Sequence, residues 1–129
     1  MIGLYVNNST PERFAFRIIC GLKTIETRTK RAAKSFLSSG VKPGQRIAII
    51  ANGKIYGYVT FQGVKEYGSR AAFMADYAAH GVKPGSKFDY NPNTGKVGLI
   101  FSDASARKPG DMAYKVQRTG GYTWTTVDR

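Results

Sequence analysis

The run Gly21-Leu22-Lys23-Thr24-Ile25-Glu26-Thr27-Arg28 sets a carboxylate between an ammonium and a guanidinium, directly after a segment that reads as a helix. The β-branched residues and alternation of 24–29 predict a strand. Thr24, Glu26 and Arg28 then face one way, and Ile25 and Thr27 the other, with Ile25 toward the core. Lys23 stands at the mouth of that strand. A carboxylate between two cations stays ionised and fixes both in direction, which suits a cleft for a polar or anionic ligand. The same groups can also do acid–base work. Glu26 can serve as general acid or base, while Lys23, its pKa lowered by burial or by Arg28, assists or stabilises developing charge. The bland alternative is a set of ion pairs that braces the fold.

The elements around this run must deliver it to one place. Thr10-Pro11-Glu12 reads as a helix start, with Thr10 as cap and Pro11 as the first helical residue. Phe14, Phe16, Ile18, Ile19 and Cys20 give that helix an apolar surface to lay on a sheet, and Arg13 and Arg17 share the remaining stripe. Gly21 is placed to close the helix in the left-handed conformation and turn the chain into the strand.

Composition bounds the class. A chain of 129 residues with 42% apolar content reads as one domain over 1–129, able to bury a core without disulfides. Cys20 has no partner for an internal bridge, and no apolar run approaches a membrane span or a signal peptide, so a reducing, cytoplasmic setting is expected with no membrane partner. One histidine and one cysteine make no metal set, and neither glycine-rich nucleotide fingerprint occurs, so no metal or cofactor is expected.

Charge is the second signal. Lys and Arg number 20 against 8 Asp and Glu, a formal charge of +12 that favours polyanions through counterion release. Lys23, Arg28, Lys30, Arg31 and Lys34 crowd together with only Glu26 opposing them, which predicts a basic rim beside the cleft. The alternative is a scattered basic surface that serves solubility.

The remaining chain supplies the frame. A strongly apolar strand over 46–51, the turn Asn52-Gly53 and a returning strand over 54–61 predict a hairpin. Ser69 is expected to cap one small helix that ends at His80 and Gly81. Phe88-Asp89-Tyr90 and a strand over 96–101 flank a turn at 91–95, and strands over 112–117 and 122–127 meet through Thr119-Gly120-Gly121. Residues 102–111 read as a mobile loop. The echo of Gly40-Val41-Lys42-Pro43-Gly44 in Gly81-Val82-Lys83-Pro84-Gly85 reads as repeated turn chemistry after two helical stretches, not as duplication. His80 is expected to satisfy terminal carbonyls and the helix dipole, and Cys20 and Trp124 to be buried. Tyr56 and Tyr58 are read as sharing a strand face, as are Tyr122 and Trp124. Tyr58 is kept as a candidate to stack on an unpaired base.

The spacing G-x-K-x-x-E-x-R at Gly21, Lys23, Glu26 and Arg28 resembles the signature of the ASCH domain family. The preceding helix, the turn and strand of Val41-Lys42-Pro43-Gly44-Gln45-Arg46-Ile47, the strand Ile55-Tyr56-Gly57-Tyr58-Val59 and the aromatic ending Tyr122-Thr123-Trp124-Thr125-Thr126-Val127 extend the likeness over most of the chain. The resemblance implies an α+β fold, a small PUA-like β-barrel with two or three short helices packed around it. It also implies a cleft for RNA or a nucleotide-like ligand, single-stranded DNA included. Gly21, Lys23, Glu26, Arg28, Lys30, Arg31, Lys34 and Tyr58 are the expected ligand-binding residues, with no metal, no cofactor and no defined oligomeric state. Members differ in activity, so a metal-independent hydrolase, either a ribonuclease or an amidohydrolase on a modified nucleoside, is the runner-up, with Lys23 and Glu26 as its catalytic pair. The amidohydrolase subgroup carries a threonine nucleophile where this chain has Glu26, so that mechanism does not transfer unchanged.

Overall fold

Arg46–Ala51, the most apolar segment of the chain, runs through the middle of the sheet with five of its residues buried. The computed structural model describes residues 1–9, 11–108, 115–120 and 123–128. In chain order the elements are β1 (Ile2–Tyr5), α1 (Phe14–Ile19), β2 (Ile25–Arg28), α2 (Lys30–Leu37), β3 (Arg46–Ala51) and β4 (Lys54–Tyr67). There follow α3 (Arg70–Ala75), α4 (Tyr77–His80), β5 (Lys96–Ala106), β6 (Lys115–Gly120) and β7 (Trp124–Asp128).

The seven strands form one mixed sheet in the order β2-β5-β4-β3-β1-β7-β6, with β1 and β3 parallel and the other pairs antiparallel. This is an α+β fold. No pairing among the described residues joins the edge strands β2 and β6, so the expected barrel is present as an open series of strands. The main core lies between one face of the sheet and the helices, with Leu4, Phe14, Ile18, Phe36, Ile47, Val59, Phe61 and Leu99 at its centre. A smaller cluster of Ala48, Ile50, Ile55, Tyr58 and Val127 covers the other face.

The hairpin between β3 and β4 forms as its turn residues dictate. Asn52 and Gly53 both take positive φ, at 53° and 73°, which is the type I′ pattern that matches strand twist. A register shift at Ile49 and Ile50 then inserts an extra residue on β4. Tyr56 consequently packs against the main core and Tyr58 against the other face, so the two tyrosines do not share a side. Gly57 lies between them because a Cβ there would stand 2.2 Å from the carbonyl oxygen of Ser105.

Several boundaries depart from the sequence-based expectation for identifiable reasons. The first helix begins at Phe14, not Pro11, because Arg13 adopts left-handed geometry at φ 46° and ends the preceding turn. Asn8 supplies the side-chain acceptor for that helix, taking the amide of Phe16 at 3.0 Å, while Thr10 lies outside the described residues. Cys20 is exposed, since Phe14, Ala15 and Ile18 alone carry the buried stripe of α1; Phe16 is largely exposed too. The helix that Ser69 caps is broken at Asp76. Its carboxylate is drawn to Lys65 at 2.8 Å and to the Tyr67 hydroxyl at 2.7 Å, leaving α3 and α4 as separate pieces.

Residues 102–106 are strand, paired with β4 from Thr60 to Gly57. Their small side chains reflect exposure on that extension, and Arg46 staples it by donating to the Asp103 carbonyl and to the Ser105 hydroxyl. Residues 109–111 of the expected loop lie outside the described residues. Phe88-Asp89-Tyr90 is a turn instead of a strand, because the Asp89 carboxylate accepts from the amides of Gly85 and Tyr90 and from Arg70. The final strands run later than expected. Gly120 pairs with Trp124, and 112–114 and 121–122, Tyr122 included, lie outside the described residues. Trp124 is half-buried at the edge of the core.

Candidate functional site

The signature reaches its place through the end of α1. Gly21 turns at φ 78°, its amide bonded to Ile18, and the amides of Leu22 and Lys23 both return to the Arg17 carbonyl. That closure drops Lys23 under the helix. The next residue is held from both sides, its amide on the Ala79 carbonyl and its own carbonyl on the Phe101 amide. Strand β2 then pairs with β5 from Ile25↔Ile100 to Arg28↔Val97.

Three charged side chains are gathered where the sequence suggests. Lys23 and Glu26 are 2% and 5% exposed, so their charges depend on one another and not on water. The Lys23 ammonium stands 3.3 Å from Glu26 Oε1, donates to the His80 carbonyl and lies 4.5 Å from the centroid of the Phe14 ring. Arg28 places Nη2 at 2.9 Å and Nε at 3.1 Å from Glu26 Oε2, and Nη2 also donates to the Tyr5 carbonyl. Burial alone would raise the Glu26 carboxyl, but the charges of Lys23 and Arg28 outweigh it and hold it below its ordinary range. Burial draws the Lys23 ammonium below its usual value against the pull of Glu26.

A cavity of about 470 Å³ opens beside this cluster, between β2, the end of β1 and the β3–β4 turn. Glu26, Thr27, Arg28, Tyr5, Asn7 and Phe88 are on its wall, together with Lys96 at the start of β5. Lys23 is not. It sits behind Glu26 and lines a separate space of about 70 Å³ that also contains Gly21. A neighbouring groove of about 410 Å³ joins the cavity at Thr29 and is lined by Lys30, Arg31, Asn93 and Thr94.

Helix α2 places the basic rim. Thr29 caps it by accepting from the Ala32 amide at 3.2 Å, Ala33 and Phe36 turn inward, and Lys30, Arg31 and Lys34 are left exposed. Tyr58 is not part of the site, since it is buried in the smaller cluster of the sheet. Aromatic residues at the cavity are instead Tyr5, Phe14 and Phe88, the two phenylalanine rings meeting edge-on with centroids 5.4 Å apart.

His80 satisfies a helix-terminal carbonyl as expected, but one of α3, and as a neutral ring. It is fully buried, stacked on Phe73 at 4.1 Å, with Nε2 2.7 Å from the Phe73 carbonyl and Nδ1 accepting from the Val82 amide. The ring is therefore neutral with its proton on Nε2, and burial lowers its pKa. It satisfies a carbonyl of α3 without adding charge to a helix end.

Lys96 is the residue that sequence reasoning missed. It is 7% exposed and lines the cavity, and burial lowers its pKa while Glu26 opposes that effect. The only signal was its place at the entry of a predicted strand, and nothing local in the sequence shows that β5 lies against β2. Among the described residues no group of three or more His, Cys, Asp or Glu could hold a metal ion. Nor is any helix there long and apolar enough to cross a membrane.

No protein-family model matches the sequence, and no curated protein matches it. Solved structures do match. The chain aligns with the ASCH protein of Zymomonas mobilis at TM-score 0.58 and 16% identity, over 81% of this chain and 68% of that one. A serine-to-alanine variant of the same protein gives TM-score 0.66 and 17% identity, over 96% and 85% of the two chains. A tyrosine-to-phenylalanine variant gives 0.61 and 20%, over 84% and 73%. The chain has the α+β fold of these ASCH structures. That agrees with the resemblance carried by Gly21, Lys23, Glu26 and Arg28.

Proposed function

We propose that this ASCH-fold domain binds RNA, or a nucleotide-like ligand, in the cavity beside Glu26 and Arg28, with the sheet serving as the barrel of a PUA-related module. The observation that carries the reading is the orientation of Arg28. Its Nε and Nη2 are committed to Glu26 and Tyr5, so the guanidinium is fixed in the cavity wall before any ligand arrives. Preorganisation of this kind lowers the entropy lost on binding. Lys30, Arg31 and Lys34 offer phosphate contacts next to the cavity, and Phe88 offers an apolar wall for a base. Single-stranded DNA falls within the same chemistry, as does a reducing, cytoplasmic setting for the exposed Cys20. Gly21, Lys23 and Tyr58 act from behind the site as turn, charge partner and packing residue.

Hydrolysis is the second reading, and the lowered pKa of Lys23 is what favours it. A buried lysine beside a carboxylate can move a proton in a metal-independent ribonuclease or nucleoside amidohydrolase. Binding needs fewer assumptions, because Lys23 lies outside the cavity lining and both oxygens of Glu26 are engaged. The test incubates the pure protein with single-stranded RNA and with acetylated cytidine, reading bound fraction and products by chromatography. Glu26→Gln and Arg28→Ala are run in parallel, each checked for folding by circular dichroism. Binding without product supports the module. Product lost in Glu26→Gln replaces it with the hydrolase.

A further inference from the structure

Within the cavity the single carboxylate of Glu26 faces more positive charge than it can balance. Lys23 and Arg28 both pair with it, and Lys96 is a third cation, on the wall of the same cavity as Glu26 and Arg28. The Lys96 side chain is mostly covered, and its ammonium, which makes no hydrogen bond or salt bridge with any described residue, opens on the cavity. An ammonium on a cavity wall with no direct protein partner is open to a charge-assisted contact with an anion there. Arg28 adds a second open donor, because Nη1 has no protein partner among the described residues. Thr27 contributes a hydroxyl to the same wall.

We infer that Lys96, with Nη1 of Arg28, forms an anion subsite inside the cavity that receives a phosphate group of the bound nucleotide. The inference deepens the nucleotide-binding reading and rests on it for the identity of the ligand. A neutral base or sugar would leave the Lys96 charge uncompensated, whereas a phosphate neutralises it and accepts from both side chains at once. The contacts of Lys30 and Arg31 outside are of another kind, since exposed cations on a rim add affinity that salt screens.

The test measures cytidine, cytidine 5′-monophosphate and inorganic phosphate against the wild-type protein and Lys96→Met, which keeps the length of the side chain. In the wild type the monophosphate binds about tenfold or more tighter than cytidine, as a charge-assisted contact in a dry site requires. In Lys96→Met that ratio falls to near one while cytidine affinity holds. A ratio near one in the wild type, or a ratio that survives the substitution, overturns the subsite. Inorganic phosphate separates the two ideas. If neither nucleoside nor nucleotide binds, a saturable phosphate-induced shift of the Lys96 Cε resonance upholds the anion subsite while the nucleotide reading fails. Absence of that shift overturns the subsite even if RNA binds elsewhere.

Discussion

The guanidinium of Arg28 donates to the carbonyl oxygen of Tyr5, joining β2 to β1 although β5, β4 and β3 lie between them in the sheet. The sheet must curl for that bond to form, and the cavity is the space left where the two strands approach. Glu26 is the residue that aims Arg28 across the gap. Site and curvature therefore share the same side chains.

Glu26→Gln removes the charge that balances Lys23 and Arg28 while leaving the volume unchanged. Stranding the buried Lys23 and the partly exposed Arg28 is expected to cost about 3 kcal/mol or more, read as a lower urea midpoint. The acid limb follows the same logic. The folded carboxyl titrates below its ordinary 4.5, so the folded state binds fewer protons than the unfolded chain. Its contribution is complete above 4.5 and is lost as pH falls through the folded value. A variant as stable as the wild type at neutral pH would show that the cluster is solvated.

His80 predicts a second pH response, at milder acidity. Its folded pKa lies below the ordinary 6.5, chiefly through burial, with Lys23 and Lys96 adding to the effect and the Phe73 carbonyl and Asp76 opposing it. Stability is therefore full above 6.5 and declines as pH falls toward the folded value. In His80→Phe the stability read from urea unfolding should be lower overall, by about 1–3 kcal/mol for the Val82 amide left unpaired and the Phe73 carbonyl left with the Asp76 amide alone, with a flatter slope between pH 7 and 5. An unchanged slope would assign the titration elsewhere.

Gly57→Ala tests the packing of the sheet. The added methyl would stand 2.2 Å from the Ser105 carbonyl oxygen and 2.8 Å from Ile19 Cδ1. Overpacking against backbone is expected to cost about 1–3 kcal/mol and to raise amide exchange over 102–106. Exchange that stays at wild-type rates would mean that β4 and β5 adjust without loss.

For ligand binding, Lys30→Ala and Arg31→Ala should each lower the salt slope of RNA affinity by about one while treating all sequences alike. Arg28→Ala should weaken binding about tenfold or more at every salt concentration, because its guanidinium is preorganised and only partly exposed. Anisotropy titrations at several salt concentrations separate the two patterns. Equal effects from rim and cavity residues would place the RNA on the surface alone.

Much of this was legible from local chemistry. Asn52-Gly53 specifies its own turn, Ser69 its cap, Gly21 its reversal, and the alternation around Glu26 its strand. What stayed hidden depends on distant neighbours. The Phe16 amide of the first helix finds its acceptor eight residues back at Asn8, and Asp76 breaks a helix because Lys65 and Tyr67 lie on the facing strand. Tyr58 turned away from the site through a register shift that no propensity encodes. Lys96 joined the site only because β5 pairs with β2, and residues 102–106 looked loop-like because their small side chains are largely exposed and offer no apolar face to bury.

The most direct test of the cavity as the ligand site is a titration of isotope-labelled protein with a short single-stranded RNA, followed by amide chemical shifts. The account predicts saturable shifts centred on Asn7, Thr27, Arg28, Thr29 and Lys96, fading toward Tyr58 and the opposite face of the sheet. Shifts confined to the exposed lysines and arginines away from the cavity, or none at all, would contradict it.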